Sequence, residues 1–248
     1  MRKVKRYCAR VDKGKVRTLN EDQAVILVNP TGDVLLVVAD GLGGHAEGEL
    51  ASKIAVNTVI ASFRDKQKFY TLRRAKKWLR KVFRYANSLI YEEAKNNEEY
   101  RGMGTTLTAA LVLSRNLVIA HTGDSRAYQF NKDNQFIQVT NDHTLVGNMV
   151  RTGKITAEQG KIDSRRHILS HAIGTEKEPK VDLIIMPYNN ETILLCTDGL
   201  YQRLNEKEIA SILGTNDYVG QKVETLISLA NQKGGDDNIG IALMETQP

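Results

Sequence analysis

Apolar runs in this chain repeatedly stop at an aspartate. Val34-Leu-Leu-Val-Val-Ala39 runs into Asp40-Gly41, and Thr192-Ile-Leu-Leu-Cys-Thr197 runs into Asp198-Gly199. A short apolar run closed by glycine predicts a buried strand. Each run then delivers a carboxylate to the rim of a sheet, and the glycine lets the backbone approach whatever that carboxylate holds. Further strands are predicted at 4–11, 24–28, 105–113, 117–121, 136–139, 181–186 and 239–244, with 127–130 continuing from 117–121 as a third strand. The turn cluster Asn29-Pro30-Thr31-Gly32-Asp33 makes a hairpin of 24–28 and the run into Asp40, which puts Asp22 and Asp40 at one end of the sheet.

Elsewhere the period is helical. Residues 47–64 place Leu50, Ile54, Val59, Ile60 and Phe63 at helical spacing, and 71–95 gather Trp78, Leu79, Val82, Phe83, Ala86, Leu89 and Ile90 into one stripe. Both stripes predict core. Two more amphipathic helices are predicted at 206–213 and 218–232. Between Asp142 and Thr175 the pattern weakens: Leu145, Met149 and Val150 predict one short helix, Thr156 caps the start of another, and the rest reads as a flap over the surface near the site. Strands and helices fall in blocks rather than alternating, which predicts α+β layers and not a doubly wound parallel sheet. No repeat, low-complexity tract or linker interrupts the chain, so residues 1–248 are expected to form a single domain.

Composition narrows the class. With 248 residues, 41% hydrophobic and 26% charged, the chain can bury a real core. The two cysteines, Cys8 and Cys196, are far apart and unaccompanied, which predicts small buried hydrophobes rather than a disulfide or zinc framework. That usage, and the lack of a signal-peptide pattern or an apolar run long enough to cross a bilayer, leads to the expectation of a cytoplasmic protein with no membrane partner. The net charge of +6 raises the question of nucleic acid. Much of the excess sits in Arg73-Arg74-Ala-Lys76-Lys77-Trp-Leu-Arg80-Lys81, whose helical period makes a solvated helix face the plainer reading, and no basic–aromatic stacking platform accompanies it.

Carboxylates are expected at many strand ends: Asp22, Asp40, Asp124, Asp198 and Asp237, with Glu21 and Asp236 beside them. So many like charges cannot all stay ionised together without a cation. The donors are hard oxygens with no Cys/His spacing, which selects Mg²⁺ or Mn²⁺ over zinc, and the Gly41 carbonyl is a natural extra ligand. Arg17 supplies the bidentate positive charge a phosphoryl group needs, although a surface arginine is the bland alternative.

These residues fall into blocks: Arg17…Asn20-Glu21-Asp22, Ala39-Asp40-Gly41-Leu-Gly-Gly-His45, Gly102-Met-Gly104-Thr105-Thr106, Gly123-Asp124-Ser125-Arg126, Cys196-Thr197-Asp198-Gly199 and Gly235-Asp236-Asp237-Asn238. In order and over nearly the whole chain, they resemble the signature blocks of the bacterial branch of the metal-dependent serine/threonine protein phosphatases, the protein phosphatase 2C-like family. The resemblance implies a four-layer α/β/β/α sandwich of two antiparallel sheets flanked by helix pairs. It implies that Asp40 bridges two ions, that Asp198 and Asp237 complete the first, and that the Gly41 carbonyl serves the second. Glu21 and Asp22 would act largely through metal-bound waters, Arg17 would hold the substrate phosphate, and Asp124 with Asp198 would bind a third, weaker ion. The implied reaction is attack of a bridging water on phosphoserine or phosphothreonine in a protein, opposite a cognate serine/threonine kinase.

Two departures stand out. Eukaryotic relatives carry a histidine directly after the Asp-Gly pair as general acid, where this chain has Leu42. That leaves His45 as the candidate donor, against a plainer role in capping the next helix. The flap reads Asp163-Ser-Arg-Arg166-His167 where bacterial relatives commonly carry His-Pro-x-Arg-Asn. His121, His143, His167 and His171 are expected to be structural or exposed. A phosphoprotein-binding regulatory domain on the same fold and a small-molecule phosphomonoesterase are the competing readings, and a monomer is expected.

Overall fold

The computed structural model describes residues 5–43, 46–66, 68–131 and 133–246. Among them, strands form two antiparallel sheets. The first runs β1 (Lys5–Asp12), β11 (Ile239–Thr246), β10 (Thr192–Cys196), β7 (Arg126–Phe130) and β8 (Phe136–Gln138). The second runs β2 (Asp22–Val28), β3 (Val34–Leu42), β5 (Leu107–Val112), β6 (Asn116–Thr122) and β9 (Asp182–Pro187), with β4 (Gly104–Thr105) paired to the end of β3. Helices α1 (Ala46–Arg64) and α2 (Leu72–Asn96) cover the second sheet. Two short helices, α3 (Leu145–Arg151) and α4 (Ala157–Ile162), lie between β8 and β9, and α4 opens on a capping box at Thr156. The first sheet is covered by α5 (Asp198–Tyr201), α6 (Glu206–Leu213) and α7 (Val219–Gln232).

The unbroken apolar run of β3 follows from these layers. Leu35, Val37 and Ala39 face α1 and α2, whereas Val34, Leu36 and Val38 face the other sheet against Ile193, Leu195, Ala242 and Met244. A strand buried on both faces has no polar side to show. Strand β10 divides in the same way, Leu194 and Cys196 toward the helices and Ile193 and Leu195 inward.

The topology collects strand ends. Strands β2, β7, β9 and β11 begin at one edge of the sandwich, and β1, β3, β6 and β10 end there, as the registers Asp12↔Ile239, Asp22↔Asp40 and Cys196↔Arg126 require. Among the described residues three chain crossings join the sheets at that edge: 13–21 carrying Glu21, 123–125 carrying Asp124, and 139–181, which holds the flap.

Three expectations are corrected. Residues 127–130 do not continue the sheet of 117–121. The chain turns at Gly123, φ +108°, and β7 pairs with β10 and β8 in the opposite sheet. Leu89 is not part of the α2 stripe but 39% exposed, its place taken by buried Ala75 and Asn87. Cys196 is buried, but Cys8, on edge strand β1, is only half-buried; both are free thiols.

Candidate metal centre

Asp40 is held by its backbone. Its N–H donates to Thr106 Oγ1 at 2.9 Å, and its carbonyl accepts from Thr105 Oγ1 and from the Thr106 N–H at 2.9 and 2.8 Å. With the main chain fixed from both sides, the carboxylate projects where β3 leaves the sheet. The glycine after it is needed for space. A Cβ on Gly41 would stand 2.1 Å from the Gly48 carbonyl oxygen in the first turn of α1, and one on Gly199 would stand 2.0 Å from the Asn238 carbonyl oxygen. The two Asp-Gly pairs therefore also let backbone approach backbone.

Asp198 is the first residue of α5, a one-turn helix absent from the sequence reading. Asp237 immediately precedes Asn238, whose side chain fastens the 13–21 crossing: Nδ2 donates to the carbonyls of Lys13 and Leu19 at 2.8 and 2.9 Å, and Oδ1 accepts from the Glu21 N–H at 2.9 Å. Asn238 thus places both Arg17 and Glu21. Tyr201 donates its hydroxyl to the Asp124 carbonyl, and Arg126, 3.6 Å over the Tyr201 ring, forms a two-pronged ion pair with Asp142 at the foot of the flap.

One cleft of about 140 Å³ is lined by Arg17, Glu21, Asp40, Gly41, Leu42, Asp124, Asp198, Asp237 and Asn238, closed from the flap side by His167 and Leu169. Every sequence-derived candidate with a described position lines it except Asp22. That carboxylate is 1% exposed behind the wall, accepting from Thr197 Oγ1 at 2.7 Å. His45 lies outside the described residues. His167, expected to be structural or exposed, is exposed and also part of the cleft; its only advance signal was its place in the flap. Gln202, the residue that ends α5, carried no signal at all. Its Nε2 donates to Asp198 Oδ2 and, at 3.3 Å, to His167 Nδ1. His121 and His143 are buried and bonded away from the cleft, to Thr108 and Asp182 respectively, as structural histidines.

The acids repel one another. Burial pushes Asp22, Asp40 and Asp124 well above the usual carboxylate range, and neighbouring aspartates add to it: Asp198 and Asp237 for Asp22, Asp22 and Asp198 for Asp40, Asp198 and Asp142 for Asp124. Asp198 is pushed up to about 6 by burial and by Asp237, against the pull of a hydrogen bond with Asp40. Such a set favours a divalent cation, and its donors are hard oxygens. Among the described residues no three carboxylates stand ready-made as a coordination shell. Protein donors hold their oxygens: Arg17 Nη2 takes Asp237 Oδ2 at 2.9 Å, and Gln202 takes Asp198. A cation held by Asp198 and Asp237 would take the place of those partners and free Arg17.

Comparison with known proteins agrees with this geometry. The family model described as Protein phosphatase 2C matches residues 14–234. The serine/threonine phosphatase stp of Listeria welshimeri is 37% identical over 95% of this chain and 94% of its own length. The structure of the Streptococcus agalactiae serine/threonine phosphatase superposes with a TM-score of 0.92 at 30% identity, covering 98% of this chain and all of that one. The catalytic domain of the phosphatase PstP in complex with two manganese ions superposes at 0.84 with 32% identity, over 98% of this chain and 99% of that one. Two antiparallel sheets between helix layers, an acidic cleft at their shared edge and relatives matched from end to end lead to one conclusion: the chain belongs to the protein phosphatase 2C family of metal-dependent enzymes and is a protein serine/threonine phosphatase.

Proposed function

We propose that the cleft at the sheet edge is the catalytic centre, with Asp40 shared between two divalent cations, Asp198 and Asp237 completing one site and the Gly41 carbonyl the other. Mn²⁺ or Mg²⁺ suits the oxygen donors, and the two manganese ions of the PstP complex make two the expected number here. Asp124, beside Asp198, is the residue for a third ion. Glu21 acts from the rim, and Asp22 acts from behind the wall, shaping the charge on Asp40. When bound, the cations lower the pKa of a water and neutralise phosphoryl oxygens.

The remaining work belongs to the chain. Arg17 lines the cleft beside Asp237 on a crossing fixed by Asn238, and its guanidinium fits a phosphoryl group in two-pronged fashion once Asp237 is otherwise engaged. Leu42 and Leu169 keep the rim apolar, which strengthens charge interactions inside. The cleft admits a phosphoryl group and the few atoms that carry it, so the rest of the protein substrate stays outside.

The observation that carries this reading is the convergence of Asp40, Asp198, Asp237 and Arg17 on one cleft from four distant points of the sequence. Beyond it, the substrates are phosphoproteins made by a cognate serine/threonine kinase, and the protein acts as a single-domain monomer in the cytoplasm. Among the described residues no helix is long and apolar enough to cross a membrane. The test is release of phosphate from a phosphothreonine peptide with Mn²⁺, with EDTA and Asp198→Ala as controls. Release that persists in EDTA, or survives Asp198→Ala undiminished, removes this assignment.

A further inference from the structure

Resting on that catalytic centre, we propose that His167 is the flap's contact with the substrate, its Nε2–H donating to the ester oxygen through which the phosphoryl group departs. The first support is position. His167 lines the cleft from the flap together with Arg17, Asp40 and Asp198, yet its side chain is exposed, so the ring stands at the mouth and not on the floor. A space of about 140 Å³ takes a phosphoryl group but not the polypeptide bearing it. With the phosphoryl group on Arg17 and the floor, the serine or threonine oxygen lies at the mouth, level with the flap.

The second support is the tautomer. Gln202 Nε2 carries two hydrogens, and the structure uses both: one on Asp198 Oδ2, the other on His167 Nδ1 at 3.3 Å. A ring nitrogen that accepts holds no proton, so the imidazole proton is on Nε2. In the metal-free cleft one side chain thus fixes which end of the flap histidine donates, and with a cation on Asp198 the Gln202 amide still has an N–H for His167 Nδ1.

The third support is elimination among the described lining residues. Leu42 and Leu169 have no donor, the acids accept only when ionised, and the Asn238 amide is committed to Lys13, Leu19 and Glu21. Arg17 is assigned to the phosphoryl oxygens. His167 remains as the donor facing the departing oxygen.

The chemistry needs such a group. As the phosphorus–oxygen ester bond breaks, negative charge grows on the leaving oxygen, and a fixed donor strengthens its hydrogen bond as it does so. Water's oxygen forms the new bond to phosphorus, one of its protons reaches the serine or threonine alkoxide through solvent, and His167 keeps its own. An aryl oxide spreads its charge over the ring and leans less on the donor.

The experiment uses the full chain with Mn²⁺, comparing wild type, His167→Ala and His167→Gln on a phosphothreonine peptide and on 4-nitrophenyl phosphate. His167→Ala is expected to lower kcat on the peptide about a hundredfold, with a loss on the aryl ester about tenfold smaller, and His167→Gln, which keeps an N–H donor, to recover part of the peptide rate. Nitrogen-15 NMR of the metal-free protein is expected to show the Nε2–H tautomer at His167. Equal losses on both substrates, no loss on the peptide, or an Nδ1–H tautomer overturns the proposal while the catalytic centre stands. A wild type inert toward both substrates overturns the centre and this proposal together.

Discussion

Asp198→Asn removes a charge that the metal-free fold tolerates poorly. The carboxyl titrates at about 6 in the folded chain against 3.8 ordinarily, raised by burial and by Asp237. Below the ordinary value both states are protonated and nothing is lost. As pH rises from there to about 6 the unfolded chain ionises first, so stability falls across that window and stays lower above it. At ~1.4 kcal/mol per unit the penalty is about 3 kcal/mol, and solvent screening of this half-buried group makes that an upper figure. Asparagine keeps an acceptor for Gln202 and gains an N–H toward Asp40, so its shape is tolerated. In EDTA at pH 7.5 the variant should therefore be more stable than wild type by about 1–3 kcal/mol, or roughly 2–10 °C in Tm for a chain of this size. Trp78, the single tryptophan, is buried with its Nε1 donating to Ser62 at 2.9 Å, and its fluorescence reports unfolding in urea. With Mn²⁺ at a thousand times its Kd the order should reverse, because wild type gains about 4.1 kcal/mol by mass action and the variant gains far less. A variant less stable than wild type in EDTA at pH 7.5 would falsify the account of mutual repulsion.

Gly199→Ala places a Cβ 2.0 Å from a backbone oxygen that cannot swing away. A loss of at least 1–3 kcal/mol in urea unfolding is expected, with phosphatase activity falling alongside as Asp198 is displaced. Asn238→Ala strips two carbonyls and one N–H of their partners and should cost about 3 kcal/mol, with a higher KM as Arg17 loses its footing; an unchanged KM would show that the crossing is placed by something else. Burial and the neighbouring His143 hold His121 neutral down to about 4, so the unfolded chain takes up its proton first as pH drops below 6.5. Stability should fall by about 3 kcal/mol between pH 6.5 and 4, opposite in sign to the Asp198 effect, and His121→Gln should flatten that limb of the unfolding curve. Removing Mn²⁺ with EDTA should abolish turnover and restore it on re-addition, while Asp40→Asn stays inactive at any Mn²⁺ concentration.

Much of the molecule was legible before folding. Strand and helix runs announce themselves by period, because a residue's side depends on its neighbours two, three or four positions away. The hairpin that sets Asp22 opposite Asp40 came from one turn cluster, and the six ordered blocks carried the family. What local pattern does not carry is which sheet a strand joins: 127–130 looks like the next strand in line, yet Gly123 turns it into the opposite sheet. Nor does it carry depth. Asp22 and Asp40 read alike, but one is sealed behind Thr197 and the other opens on the cleft. Gly41 and Gly199 are in the sequence, but the reason for them, a backbone oxygen about 2 Å from where a Cβ would stand, lies seven and 39 residues away. Gln202 and His167 meet across a 35-residue separation without any motif. The sequence by itself determined the longer elements and the stock of acids, since those depend on neighbours along the chain. Only the tertiary structure decided which acids share a cleft and which amide and imidazole close it, since contact between distant residues depends on how the two sheets are threaded.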